Sequence, residues 1–196
     1  MPDGPSPYVS VVLAVHDAAP LLMRCLSALA RVPEHISFEV VLVDDGSTDA
    51  TPLMLEQVEG DFIALRNDPP EGFGPSCDRG VAAASGDVVV LLSADAVPVD
   101  GWLEPLVAAL EDGDATHAAR PRAIGVDGRV LDGPLWPCLA VRRSAYERVG
   151  GFAGVSRPGR ADKASLTEAL DAAGLTVRDE PRSIVLVVPD EQPRPA

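Results

Sequence analysis

Val41-Leu42-Val43-Asp44-Asp45-Gly46-Ser47-Thr48-Asp49 decides how this chain folds. Its start completes an apolar strand, Glu39 to Val43, and its end breaks that strand. Asp45-Gly46 makes a tight turn, and Ser47 or Thr48 can cap the helix that follows. A strand with no polar alternation is buried on both faces, as in parallel sheets. The same order of strand, turn and helix recurs on either side. Upstream, Val9 to Val15 is apolar but for Ser10, and Leu21 to Ala30 carries Leu22, Cys25, Leu26 and Leu29 at helical spacing. Downstream come a helix over Thr51 to Val58, a short strand over Phe62 to Leu65 and a helix over Pro75 to Ala84. A fourth buried strand, Asp87 to Leu92, and a helix, Trp102 to Leu110, follow. Repeated βα units predict an α/β fold, Rossmann-like, with a mostly parallel sheet flanked by helices.

The second half is mixed. Thr116 to Ala123 and Leu135 to Val141 read as strands, and Arg129-Val130-Leu131 beside Gly128 reads as part of a hairpin. Ser144 to Val149 is a short helix ending at Gly150-Gly151. Ser165 to Ala173 is a helix that stops at Gly174, and Ser183 to Val188 is a last strand. No linker divides the two halves, so a single domain is expected over residues 8–188. Residues 1–7 and 189–196, rich in Pro and polar residues, are expected as tails.

Composition narrows the partners. The chain has 196 residues, 46% hydrophobic and 23% charged, a globular balance. Its net charge of -14 repels nucleic acid and anionic lipid. A small anionic ligand is still allowed, because a metal or local cations reverse the field in a cleft. Lys163 is the only lysine; arginine supplies the remaining formal positive charge. Cys25, Cys77 and Cys138 are far apart, which fits reduced thiols in a cytoplasmic protein. Even the longest apolar runs, Val88 to Leu92 among them, are far too short to span a bilayer.

Ligands bind at the carboxyl ends of strands in an open parallel sheet. Three polar clusters fall there: His16-Asp17 after the first strand, Asp44 to Asp49 after the second, and Ser93-Ala94-Asp95 after the fourth. Each alone is ordinary turn chemistry; three aligned clusters point to one crevice.

Five segments together resemble a family 2 glycosyltransferase with the GT-A fold. They are Val9 to Asp17, Val41 to Asp49, Gly72-Phe73-Gly74-Pro75-Ser76-Cys77-Asp78-Arg79-Gly80, Gly86 to Asp95, and Arg142 to Phe152 with its Gly150-Gly151-Phe152. They keep the family's order, and the nearest likeness is to rhamnosyltransferase-like members.

The resemblance implies a donor site for a nucleoside-diphosphate sugar, with an acceptor hydroxyl of unknown identity. Ala14, Val15 and His16 would pack on the base, Asp45 would hydrogen-bond it, and Asp44 would brace the loop. Asp78 and Arg79 would lie on the donor side, Arg79 serving equally as a solvated helix residue. Ser93 and Ala94 would flank the donor, and Asp95 would hold Mn²⁺ or Mg²⁺. Asp162 would act as catalytic base in an inverting transfer, a role compatible with capping the helix near Lys163.

The chain departs from the pattern at Ser93, where an acidic residue is usual. It departs again at Ala161, where Glu precedes the base, and in having no His after His117. These losses motivate an alternative: a non-catalytic member that binds a nucleotide or a protein partner. A nucleotidyltransferase is disfavoured because His16-Asp17-Ala18-Ala19-Pro20 replaces a Gly-rich basic loop. A dehydrogenase is disfavoured because no G-x-G-x-x-G follows the first strand. Trp102 is expected to anchor its helix and Cys25 to pack in the core. Trp136 is expected in a half-buried loop, and Arg142-Arg143 either solvated or facing phosphate.

Overall fold

The computed structural model describes residues 8–33, 35–58, 60, 62–111, 115–131, 137–155 and 162–189. The expected tails, apart from Pro189, and Trp136 and Ala161 lie outside these. In chain order the elements are β1 (Val9–Val15), α1 (Ala19–Leu29), β2 (Phe38–Asp45), α2 (Thr51–Gln57), β3 (Phe62–Asn67), α3 (Phe73–Ala83), β4 (Val88–Ser93) and β5 (Ala96–Pro98). Then come α4 (Leu103–Glu111), β6 (Ala118–Gly125), β7 (Cys138–Arg142), α5 (Arg143–Arg148), α6 (Gly151–Val155), α7 (Asp162–Ala172) and β8 (Val177–Val187).

One eight-stranded sheet runs in the order β3-β2-β1-β4-β7-β6-β8-β5. The front half is parallel: β1 pairs with β2 and β4, and β2 with β3. The mixed part begins where β7 lies antiparallel to β4. β6 then runs antiparallel to β7 and parallel to β8. The hairpin at Gly128 forms, with Ile124 bridging Val130.

The strand pleat divides the core. Val9, Val11, Leu13 and Val15 of β1 point to one face, under α1 and α4, where Trp102 is packed as expected. Val12 points to the other, beneath Cys77 and Val81 of α3, Phe152 of α6 and Leu166 and Leu170 of α7. Gly80 lets α3 lie close: a Cβ there would stand 2.4 Å from Val12 Cγ1.

Three differences from the sequence reading have physical causes. β5 has three residues, too few to show a period. α6 has the sequence Gly-Phe-Ala-Gly-Val, whose glycines carry no helical signal. β8 begins at Val177 and not Ser183, because its polar first half is a strand held by pairing with β6. The register shifts there, Pro121 facing Glu180 and Arg122 facing Ile184. Glu180 closes this bulge by accepting bonds from Arg182 N at 3.0 Å, Nε at 2.8 Å and Nη2 at 2.9 Å.

Candidate functional site

The register sets the three polar clusters side by side. Ala14 lies opposite Val43 on one flank and Ser93 on the other; Val15 faces Asp44. Asp44 and Asp45 in turn face Arg66 and Asn67 of β3. One sheet edge therefore carries Asn67, Asp45, Asp44, His16 and Ser93, with Asp95 two residues beyond β4.

Asp44 braces its loop. Its Oδ1 accepts the Ser47 amide at 2.9 Å and its Oδ2 is paired with Arg66 Nη1. Arg66 Nη2 also reaches the Ser47 carbonyl at 3.1 Å. The loops after β1 and β2 are laced together. Asp17, in the left-handed region at φ 48°, accepts the amides of Thr48 at 2.6 Å and Asp49 at 3.1 Å. Its own amide donates to Ser47 Oγ at 3.0 Å. These amide bonds, the one from Thr48 foremost, hold the Asp17 carboxyl below its ordinary value. The exposed His16 ring sets Nδ1 2.7 Å from the Asp45 carbonyl.

Asp45 is buried and fully engaged. Oδ1 accepts Asn67 Nδ2 and the Glu71 amide, and Oδ2 accepts the Gly72 amide, each at 2.8 Å. Burial pushes its carboxyl up, but Asn67, Glu71, Gly72 and Ser76 outweigh it and hold the group low. The carboxylate assigned to a base by resemblance thus fastens the loop between β3 and α3. A nucleobase N–H would have to displace one of these donors.

Asp78 and Arg79 have internal duties that the sequence did not foretell. Asp78 accepts the amides of Phe152 at 2.9 Å and Ala153 at 2.7 Å, and the hydroxyl of Tyr146. Gly151, at φ +60°, allows that approach: a Cβ there would stand 2.4 Å from Asp78 Oδ1. Burial, with Asp78 beside it, pushes the Tyr146 hydroxyl well above its ordinary value. Arg79 donates to the Arg66 carbonyl at 2.8 Å and to Asn67 Oδ1. Both side chains secure α3. Arg142-Arg143 is neither solvated nor aimed at phosphate. Arg142 Nε reaches the Thr116 carbonyl at 3.0 Å, and Arg143 reaches Gly86 at 2.7 Å and Val81 at 3.0 Å.

The fourth-strand cluster holds what the sequence reading passed over. Ser93 is buried, its amide bonded to the Pro137 carbonyl at 2.8 Å and its hydroxyl to the ammonium of Lys163. Lys163 comes from the first turn of α7 and lies over the Phe73 ring, 4.9 Å from its centroid. Phe73 meets Phe152 edge-on at 5.6 Å, and Phe152 meets Tyr146 at 6.1 Å. Burial pushes the ammonium down from its ordinary value, and the Asp95 charge works against that shift. Asp95 is half-buried, and its carbonyl accepts the Val188 amide at 2.9 Å. The thiol of Cys25 is pushed up to about 12, mainly by burial, with Asp95 adding to it. Asp162 is the first residue of α7; its carboxylate lies outside what is described. The signal for Lys163 was present, since it is the only lysine in the chain. Asn67 had none: the sequence ended β3 at Leu65.

A family model described as "Glycosyl transferase family 2" matches residues 10–154. Polypeptide N-acetylgalactosaminyltransferase 5 of Caenorhabditis elegans is 37% identical over 153 residues, which is 74% of this chain and 23% of that protein. A mannosyltransferase of Pyrobaculum calidifontis, solved with GDP-Man and Mn²⁺, superposes with a TM-score of 0.77 at 21% identity over 95% of this chain and 59% of its own. TarS of S. aureus, solved with UDP-GlcNAc, gives 0.78 at 17% identity over 94% and 59%. The chain shares their GT-A fold.

Proposed function

The chain belongs to glycosyl transferase family 2, and we propose that it moves a sugar from a nucleoside-diphosphate sugar to an acceptor hydroxyl, with inversion. The shared sheet edge carries this reading: Ala14, Asp44, Asp45, Ser93 and Asp95 converge where ligands bind in open α/β sheets. In the proposal Ala14, Val15, His16 and Ala94 line the base and ribose. Asp45 reads a base N–H by exchanging it for an amide of the Glu71-Gly72 loop, while Asp44 keeps the loop in place. Asp162 takes the acceptor proton as the oxygen attacks the anomeric carbon. The acceptor enters by a groove of about 860 Å³ lined by Arg120, Arg122, Val130, Leu131 and Pro137. Pro137 borders Ser93 directly.

Mn²⁺ or Mg²⁺ belongs to the family picture, and the mannosyltransferase was solved with Mn²⁺. The donor set here is thin for such an ion. Asp95 is its carboxylate, the Ser93 hydroxyl is taken by an ammonium, and among the described residues no three His, Cys, Asp or Glu side chains gather. Asp95 by itself would hold such an ion weakly, with donor phosphates and water needed to complete its shell.

Donor identity, and with it the likeness to rhamnosyltransferase-like members, is read by a panel of nucleotide sugars with product anomers assigned by NMR. Transfer with inversion from one donor is expected. Absence of turnover with every donor, with Asp162→Asn unchanged from wild type, sinks the catalytic reading. A second reading, a nucleotide- or partner-binding domain without turnover, is favoured by Ser93 and by the committed oxygens of Asp45. Nucleotide binding without turnover would support it. A single domain over residues 8–188 and a cytoplasmic address are part of the proposal. Three buried free thiols support that address, and fractionation of the native protein tests it. Among the described residues no helix is long and apolar enough to cross a membrane.

A further inference from the structure

We propose that the Lys163 ammonium, held at Ser93, takes the charge of the donor diphosphate in place of a divalent cation, so that this chain binds its nucleotide without metal. The inference rests on the transferase reading and assigns the charge-bearing group within that site.

Position comes first. Ser93 ends β4 opposite Ala14, on the edge that carries Asp44 and Asp45. Lys163 reaches this edge from the first turn of α7, next to Asp162. Chemistry comes second. A donor diphosphate entering here meets Asp44, Asp45 and Asp95 in a chain of net charge -14. Some cation must offset that field. Arg66 is bonded to Asp44 and the Ser47 carbonyl, and Arg79 to the Arg66 carbonyl and Asn67. Among the described residues, Lys163 is a cation bonded directly to Ser93, the position where the resemblance expects an acidic residue. Its Ser93 partner is a neutral hydroxyl, which a phosphate oxygen outcompetes as an acceptor for an ammonium. The Phe73 ring holds the charge from beneath. Lysine suits the task as a compact point charge on a flexible stem.

The step balances. The bond from the anomeric carbon to the diphosphate oxygen breaks, and its electron pair stays on that oxygen. The acceptor oxygen bonds the carbon, and its proton goes to the base. The ammonium stabilises the charge that develops on the leaving oxygen and transfers no proton.

Calorimetric titration of the full chain with UDP, GDP and dTDP, in EDTA and then in Mn²⁺, tests this. Mn²⁺ electron paramagnetic resonance on the same samples reads metal binding without reference to turnover. One diphosphate is expected to bind with Kd equal to within about twofold in the two buffers. Lys163→Met should weaken that binding by about tenfold or more, and Lys163→Arg should recover part of it. Ser93→Asp combined with Lys163→Met should make binding require Mn²⁺. The inference is overturned, and the transferase reading kept, if Mn²⁺ tightens wild-type binding by about tenfold or more with loss of the free-ion signal. If no diphosphate binds in either buffer, both fall. The wild-type comparison decides the matter even if Lys163→Met does not fold.

Discussion

Asp45 shows how a single side chain serves both folding and ligand binding. It accepts from Asn67, Glu71 and Gly72, so it joins the end of β2 to the end of β3 and to the start of α3. Asp45→Asn swaps one acceptor oxygen for an amide that points hydrogens at existing donors. Buried donors left without a partner cost about 1–3 kcal/mol, and that loss is expected in urea unfolding at neutral pH. A change inside about 0.5 kcal/mol would mean that the loop repairs itself. The pH dependence has a fixed sign. The folded carboxyl sits below its ordinary 3.8, so its stabilisation is present above that value and is lost as pH falls through the lower folded value. At this scale the sequence was legible in part. Asp44 and Asp45 are visible because a turn after a buried strand leaves few other places for paired carboxylates. The internal partners of Asp78 were not legible, because Tyr146, Phe152 and Ala153 lie about 70 residues away, beyond any local pattern.

Elements hold these residues by close approach. α3 can sit on β1 and β2 because Gly80 presents no Cβ to Val12 and Val43. Gly80→Ala gains about 1 kcal/mol of helix propensity but overpacks a core that resists displacement, a cost of about 1–3 kcal/mol. Net destabilisation is expected by thermal unfolding, along with weaker nucleotide binding, because the start of α3 and the loop before it are fastened to Asp45 and Asn67 at the site. An unchanged melting temperature would show that the helix shifts freely. On the far side of the sheet, Glu180 and Arg182 close the β8 bulge. Hydrogen bonding from Arg182 lowers the Glu180 carboxyl from 4.5 to about 2. Its contribution is therefore complete above pH 4.5 and is lost as pH falls towards 2. Glu180→Gln should flatten the fall of urea midpoint across that window relative to wild type; parallel curves would remove the bulge from the acid response. Elements with a strong period, β1 to β4 with their helices, were readable from the chain alone, since burial on both faces writes itself into composition. β8 was half-hidden because its polar first half is a strand only through pairing with β6.

Across the whole molecule, charge is gathered where the site is. Asp44 and Asp45 end β2, and Asp17, Asp49 and Asp95 lie just beyond the carboxyl ends of parallel strands, in a chain with 30 acidic against 16 basic residues. That clustering was legible from strand ends alone; the single lysine was visible too, but not its place at the site, because Lys163 reaches Ser93 across 70 positions. Such an imbalance opposes compaction through self-repulsion, and mobile ions relieve it. The screening length falls from about 30 Å at 0.01 M to about 8 Å at 0.15 M salt. Sodium chloride added over that range at pH 7 is therefore expected to raise the melting temperature. About 1 kcal/mol of relief corresponds to a rise of roughly 2–4 °C for a chain of this size. The opposite sign would mean that exposed pairs such as Arg31–Asp100 and Arg120–Asp179 outweigh the repulsion. Exposed pairs contribute little each and are themselves screened by salt, so the net effect should stay positive. A bound nucleoside diphosphate adds negative charge at the same edge. The salt-induced rise should therefore be larger with nucleotide present than without, and a scan of both states at the two ionic strengths reads that difference directly.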